Sequence, residues 1–406
     1  MGHAATLPAQ AARSTSNEAS ARVFESVWAE MERRYAWRIL EREVHNPASA
    51  FAHLPYAWQD YDNRHAAAFR EKHKLLELIA GARDDWEAIL RLRHWAFMNL
   101  RDGQPSWGLG QGYAAETVDA SLAGATFYCT YFAYVFVAAA SACGFPARHL
   151  GIDNLRGPDE PGSHHGVADV WVNKYRKWVH VDPNYDHHYE LDGVPLNAEE
   201  LGQAWRRNQG QGIVGLVGLD RREVERPRAG IAGQHESACF YWHYIDTLNA
   251  VFNRGRLSWP DPVVFLVDEE RKKNTWLQGR PPETYPHVRY KNGTFLTTER
   301  LADAYPDLNG TRFDLLEPGK VPYLARVVFA GSCVPNFSHH VARVDGGAPQ
   351  VIKGIEFPWQ LHLGENRVEF RAVNLAGHEG PPSRLAVHVE RLPGREPGWP
   401  TKKSAN

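Results

Sequence analysis

Residues 129–142, CTYFAYVFVAAASA, carry no charged side chain. A helix that is apolar on every side has no face to offer to water, so it must sit inside a core. Gly144 ends it and Pro146 blocks its continuation. Three short runs rich in β-branched and aromatic residues follow, ARHLGI (147–152), GVADVWVN (166–173) and KWVHVDP (177–183), and read as strands. The upstream chain is helical in pattern. SARVFESVWAEMERRYAW places Val23, Phe24, Val27, Trp28, Met31 and Tyr35 on one stripe, and AAAFREKHKLLELIAG repeats the spacing up to a glycine. DDWEAILRLRHWAFMNLR opens on Asp84 as a cap and presents Trp86, Ile89, Leu90, Trp95 and Phe97 as an apolar face. Helices, then a buried helix, then strands make an α+β domain of helices plus an antiparallel sheet.

The full 406 residues exceed one ordinary core and imply further domains. Residues 102–116 are a glycine-rich loop. Within 195–315, NAEELGQAWRR and SACFYWHYIDTLNAVFNR read as helices, PVVFLVD as a strand and RYKNGTFLT as a hairpin with an Asn-Gly turn. This region is expected to elaborate the first domain. From about 319 the runs alternate apolar and polar, and LGENRVEFRAVNLAGHEGPPSRLAVHV resembles the last hairpin of an immunoglobulin-like or fibronectin-like β-sandwich. The expected organisation is a disordered tail at 1–19, an α+β domain at 20–318, an all-β sandwich at 319–392 and a loose tail at 393–406.

A net charge of −2 without a dominant Lys/Arg cluster gives no footprint for nucleic acid or an anionic membrane. No apolar run reaches the ~18 residues of a membrane span. The four cysteines, Cys129, Cys143, Cys239 and Cys333, show neither CxxC nor zinc-ligand spacing, so no disulfide is expected. Twenty histidines are scattered, with pairs at His164-His165, His187-His188 and His339-His340. Neighbours in a strand face opposite ways, so each pair offers one ligand to a given site. No metal and no cofactor is expected. Fourteen tryptophans read as core residues, with platforms for sugar rings or peptide side chains as the functional alternative. LPAQAA near the start resembles the end of a secretory signal, although no basic start or apolar core precedes it. Export to the periplasm or outside the cell is the expectation and a cytoplasmic setting the alternative. The oligomeric state is not written in the sequence.

Two cysteines bracket the apolar helix. Cys129 stands at its N-terminal end, where unpaired N–H groups and the macrodipole favour an anion, and a thiolate there has its pKa lowered toward about 4–7. Cys143 stands at the other end, where the dipole disfavours a thiolate, and reads as a packing residue. A cysteine nucleophile needs a base, and the base an orienting group. His165 opens the strand HGVADVWV and Asp182 closes the strand KWVHVDP. Antiparallel neighbours can set the start of one strand beside the end of the next.

The order of these pieces resembles the transglutaminase-like superfamily, with its papain-like Cys-His-Asp arrangement. The residues that carry the resemblance are Cys129, then Gly144-Phe145-Pro146-Ala147-Arg148, then His165 with Asp169 four residues on, then Trp178-Val179-His180-Val181-Asp182-Pro183. DDWEAILRLRHWAF resembles the helix that precedes the nucleophile in that family. The likeness spans about residues 84–190. Counting four residues to the acid selects His165 over His164, since Ala168 follows His164 at that distance. Asp186 is the fallback acid, and His187 and His188 are given no catalytic role. Two features depart from the family: Phe127-Tyr128 and Thr130-Tyr131 flank the nucleophile where small residues are usual, and the turn between Trp171 and Trp178 is longer. They imply an unusual acceptor pocket.

The resemblance implies acyl transfer. Cys129 would attack a carboxamide, His165 would protonate the leaving amine and Asp182 would fix the ring tautomer. The Cys129 N–H is a natural oxyanion donor, and a second donor is sought among Gln104, Trp107, Gln111 and Tyr128. Water as acceptor makes a thiol hydrolase, and a lysine amine makes a cross-linking transglutaminase. Bacterial members of the superfamily are more often hydrolytic, and eukaryotic glycopeptide amidases are similar in the order of these residues. The favoured expectation is hydrolysis of an amide in a peptide or glycoconjugate. The alternatives are protein cross-linking, attack of the thiolate on a glycan, and a non-catalytic binding or scaffold module.

Overall fold

The computed structural model describes residues 24–47, 56–106, 114–153, 164–224, 242–249, 251–252, 263–272, 295–316, 318–319, 321–329 and 333–394. The tails expected at 1–19 and 393–406 lie outside these, apart from Pro393 and Gly394. The chain divides into two compact units, residues 51–306 and residues 1–50 together with 307–406.

The described residues begin with helix α1 (24–35) and strand β1 (Trp37–His45), and both belong to the second of these units. This replaces the expected division at 319. The stripe on α1 is real, with Phe24, Val27, Trp28, Met31 and Tyr35 buried, and it belongs to the core of the β-rich unit.

The α+β unit follows. Helices α2 (Arg64–Lys72) and α3 (Leu75–Ile79) replace the single helix expected there, because Lys74 adopts a left-handed φ of 50°. Helix α4 (Asp85–Asn99) starts where expected, the Asp84 side chain accepting the Glu87 N–H at 2.9 Å. Its buried face differs at its C-terminal end, where Trp95 is half-buried. Trp86, Ile89 and Leu90 are buried but Phe97 is 38% exposed, and Arg93 is fully buried instead. Helices α5 (Ala114–Leu122) and α6 (Cys129–Ala142) follow. In α6 every residue after Cys129 is buried, as an all-apolar helix requires. The α2, α4 and α5 helices surround it and strands β2 (Ala147–Asp153) and β3 (His164–Val172) close its remaining side. Arg70 donates to the Ala142 carbonyl at the C-terminal end of α6, where a cation suits the dipole.

Strand β4 (Lys177–Val181) pairs with β3, and the chain then enters a four-stranded sheet. It comprises β5 (His187–Leu191), β6 (Val194–Pro195), β7 (Ile213–Val217) and β8 (Arg222–Val224) in the order β6-β5-β7-β8. Helix α7 (Ala198–Asn208) lies between β6 and β7 and starts on a capping box of Asn197 and Glu200. Strands β9 (Trp242–Asp246), β10 (Val263–Leu266) and β11 (Phe295–Thr298) complete a six-stranded sheet ordered β11-β10-β9-β2-β3-β4. Short helices α8 (Glu269–Lys272) and α9 (Leu301–Ala304) flank β11 in sequence. The expected helix SACFYWHYIDTLNAVFNR is corrected by β9. β9 is a short strand hydrogen-bonded on both edges and buried, and so short a run cannot be told from a helix segment by periodicity. Of the expected hairpin RYKNGTFLT, the first strand and the Asn-Gly turn lie outside the described residues; its described end is β11, which runs parallel to β10.

The chain returns to the first-mentioned sandwich with β12 (Phe313–Leu316), β13 (Leu324–Phe329), β14 (Phe337–Val344), β15 (Gln350–Ile352), β16 (Glu356–Gln360), β17 (Gly364–Asn374) and β18 (Ser383–Arg391). They form two sheets, β1-β18-β17-β14-β15 and β12-β13-β16. Trp359, Phe370, Val387 and Phe313 from both sheets share one core with α1. No helix among the described residues is long and apolar enough to cross a membrane.

Candidate active site

The site is built by two chain crossings over the start of α6. Tyr128 is the N-cap residue, extended at φ −96° and ψ 176°, and Cys129 is the first helical residue, half-buried. Residues 101–106 run alongside the approach to it. Phe127 N–H donates to the Arg101 carbonyl at 2.8 Å and Gly103 N–H to the Phe127 carbonyl at 3.0 Å. Strand β3 crosses next. Gly166 N–H donates to the Cys129 sulfur at 3.3 Å, which seats the adjoining His165 over the helix start.

His165 Nε2 lies 2.6 Å from Asp182 Oδ2, and both side chains are buried. That leaves Nδ1 as the nitrogen for the sulfur. Burial works against an imidazolium here, but the Asp182 carboxylate and then Cys129, charged and hydrogen-bonded to the ring, raise the His165 pKa to about 10. Asp182 is the converse. Burial would raise it, yet the His165 charge and hydrogen bond, followed by His187 and His180, hold its carboxyl well below the usual range. Its second oxygen accepts the N–H groups of Asn184 at 2.9 Å and Tyr185 at 3.3 Å. A carboxylate fixed on both oxygens cannot swing away from the ring it orients.

The remaining expectations sort as follows. Cys143 is fully buried at the C-cap of α6, and burial pushes its thiol up to about 12. Cys333 is a free thiol, and Cys239 lies outside the described residues. Asp169 does not join the thiol. It pairs with Arg148 at 3.0 Å, both fully buried, and the guanidinium lies 4.1 Å from the Trp178 ring centroid. Three pieces of the sequence pattern thus meet in one buried cluster of their own. Asp186, the fallback acid, turns to Arg93 at 2.8 Å and His94 at 2.6 Å. His187 and His188 are buried and neutral, brought down to about 3 and about 4 chiefly by burial. Among the described residues no group of His, Cys, Asp and Glu is arranged to hold a metal.

Of the four oxyanion candidates, Trp107 and Gln111 lie outside the described residues. Gln104 is exposed, and its carbonyl accepts from Thr126 Oγ1 at 2.5 Å. Tyr128 is half-buried, its phenol raised by burial and then by the charge on Cys129. Tyr185 was absent from the sequence reading. Its ring centroid lies 5.4 Å from that of His165, and burial followed by Asp182, Asp102 and Cys129 raises its hydroxyl to about 12, so it stays an O–H donor. Its one signal was its place in DPNYD, three residues beyond Asp182.

A thiol at a helix start, an imidazole beside it and a carboxylate behind the imidazole form an arrangement that can hold a thiolate and move a proton. A family model of the transglutaminase-like superfamily matches residues 73–183. No curated protein sequence matches the chain. Among solved structures, a "putative cysteine protease" from Cytophaga hutchinsonii aligns at 15% identity with a TM-score of 0.24, over 36% of this chain. The aligned part is about half of that structure, 49%. The match of the family model covers α4, α6 and β2 through β4, the elements that converge on Cys129, His165 and Asp182, and residues 73–183 are a transglutaminase-like domain.

Proposed function

We propose that the chain is a cysteine-nucleophile acyl-transfer enzyme that hydrolyses an amide bond in a peptide or glycoconjugate, with Cys129, His165 and Asp182 as its catalytic residues. The observation that carries this is the imidazole held between two anions: Asp182 at 2.6 Å on Nε2 and Cys129 on the other side, with the His165 pKa raised to about 10. Such an imidazolium stabilises a thiolate at neutral pH.

In this reading the Cys129 thiolate forms an S–C bond to the amide carbonyl carbon, and the π electrons move to the oxygen. The N–H groups of the first turn of α6 face that charge. As the intermediate collapses the C–N bond breaks, and His165 gives its proton to the leaving nitrogen. Water then loses a proton to His165 and attacks the thioester, which releases the acid and restores the ion pair. An amine in place of water would give transamidation from the same thioester. The β-rich unit is proposed as a binding or spacing module of immunoglobulin or fibronectin type. Its first, second and fifth strands after β11 form one sheet and the other four join the second sheet, the division such sandwiches use.

The test is a screen of peptide and glycopeptide amides, read by release of amine, with and without a labelled alkylamine. The expectation is amine release by the wild type, none by Cys129→Ala, and little incorporation of the label. If no amide is cleaved, and iodoacetamide modifies Cys129 as a free thiol whether or not His165 is replaced by alanine, the enzymatic reading is wrong.

A further inference from the structure

Behind the site lies a buried cluster that the chemistry above does not use. The residues between β4 and β5 form a tight turn. Asp182 N–H donates to the His187 carbonyl at 2.9 Å, and His187 N–H donates back at 3.1 Å. This turn presents Asp182 at one end and Tyr185 at its tip, and both address His165. Its last residue, Asp186, has a left-handed φ of 53°, a conformation aspartate and asparagine tolerate better than most residues. The Asp186 side chain points back to α4. Oδ1 accepts from Arg93 Nε at 2.8 Å and Oδ2 from His94 Nδ1 at 2.6 Å.

Arg93 reaches three chain segments at once. Besides Asp186 it donates through Nη1 to His188 Nδ1 at 2.8 Å on β5, and through Nη2 to the Gly218 carbonyl at 3.1 Å after β7. An arginine can only donate, so His188 Nδ1 must accept and the ring must be neutral. Its Nε2 then donates to Glu190 Oε1 at 3.1 Å, which Arg221 neutralises at 2.6 Å. Gly218 N–H closes the frame on the Asp186 carbonyl at 3.0 Å. A fully buried guanidinium with fixed acceptors on all sides is a rigid anchor, and lysine cannot reproduce its fork.

We propose that Arg93 is a positioning residue for the thiol site: through Asp186 it fixes the turn that sets Asp182 and Tyr185 against His165. This rests on the catalytic reading of Cys129, His165 and Asp182. Loosening the clamp lets Asp182 drift from His165, weakens the imidazolium and lowers the thiolate fraction of Cys129.

The experiment measures the rate of Cys129 alkylation by iodoacetamide from pH 5 to 10, with the thermal midpoint as a fold control, for the wild type, Arg93→Lys, Asp186→Asn and the double variant. Both single variants should raise the apparent pKa of Cys129 by about one unit and slow alkylation near pH 6 about tenfold. The double variant should be no slower than the slower single, since both break one clamp. A purely structural role lowers the midpoint and leaves the profile of the folded protein unchanged, and that outcome overturns the proposal. If the Asp186 variant does not fold, Arg93→Lys alone decides, and an unchanged profile there overturns the proposal equally. His165→Ala separates the two levels. If it shifts the wild-type profile while the clamp variants do not, only the positioning role falls. If it shifts nothing, the catalytic reading falls first.

Discussion

The backbone N–H of Gly166 donates to the Cys129 sulfur across 3.3 Å. The residue after the histidine therefore touches the first turn of the helix that carries the thiol, and β3 brings imidazole and N–H there together. The approach has no room for a side chain. A Cβ at 166 would stand 2.6 Å from Thr130 Oγ1, 2.9 Å from Thr130 Cα and 3.1 Å from Thr130 N.

Gly166→Ala should therefore separate β3 from α6. Two of the three clashing atoms are helix backbone and cannot rotate away. Overpacking of this kind costs about 1–3 kcal/mol. The expected result is a lower thermal midpoint together with slower alkylation of Cys129. Wild-type values for both would show that the strand yields without disturbing the site.

The two cysteines of the apolar helix should separate cleanly. Cys143→Ala removes a fully buried sulfur and should cost about 1–2 kcal/mol, read from urea unfolding, with activity kept. Cys129→Ala should abolish activity and leave the chain folded, with a cost of about 1 kcal/mol for the lost Gly166 hydrogen bond. In the native wild type Cys143, with its thiol pushed up to about 12, should resist iodoacetamide until the protein unfolds. Mass spectrometry showing Cys143 modified first would contradict this assignment.

Stability should depend on pH in two opposed ways. His165 is raised to about 10, so its contribution is complete below the unfolded value of about 6.5 and is lost as pH rises toward 10. Asp182 is lowered, so its contribution is present above the unfolded value of about 3.9 and is lost as pH falls further. His180 and His187, lowered to about 3, and His188, lowered to about 4, must stay neutral in the fold. They contribute fully above about 6.5, and that contribution fades as pH falls toward their folded values. Four groups thus weaken the fold in acid and one in alkali. Thermal midpoints from pH 2 to 10 should fall more steeply on the acid side, and His165→Gln should flatten the alkaline limb. A symmetric profile, or an alkaline limb that survives the substitution, would count against these ionisation states.

Deleting residues 1–47 should damage the sandwich. β1 pairs with β18 from Trp37 opposite Arg391 to His45 opposite Arg384, and α1 buries Phe24, Val27, Trp28 and Met31 in the same core. Each such side chain contributes about 1.5–3 kcal/mol when fully buried. Limited proteolysis of the truncated chain should cut within 313–391 while residues 56–224 persist. Protection of the sandwich equal to that of the full chain would show that residues 24–47 are dispensable to it.

Much of the site could be read from the chain. Asp84 caps α4, the apolar run becomes α6, and Cys129, His165 and Asp182 meet because a helix start and two strand ends are local features with local signals. Tyr185 and Arg93 could not be found this way. A tyrosine in a turn and an arginine on a helix look solvated until a neighbouring strand covers them, and Arg93 interrupts the very face it is buried in.

The sequence by itself determined which stretches are apolar on one side, on both or on all, and in what order Cys129, His165 and Asp182 occur. Only the tertiary structure decided what covers each apolar face. The stripe on α1 is the same whether it packs on a helix or on a sandwich, and closing β1 onto β18 joins segments from opposite ends of the chain. The tertiary structure alone also allotted the two acids near Asp182 in the sequence: Asp169 to Arg148 and Asp186 to Arg93. All three aspartates lie within one short region. A buried carboxylate takes the cation that the fold sets within hydrogen-bond reach, and that distance is fixed by the crossing of strands and helices, not by spacing along the chain.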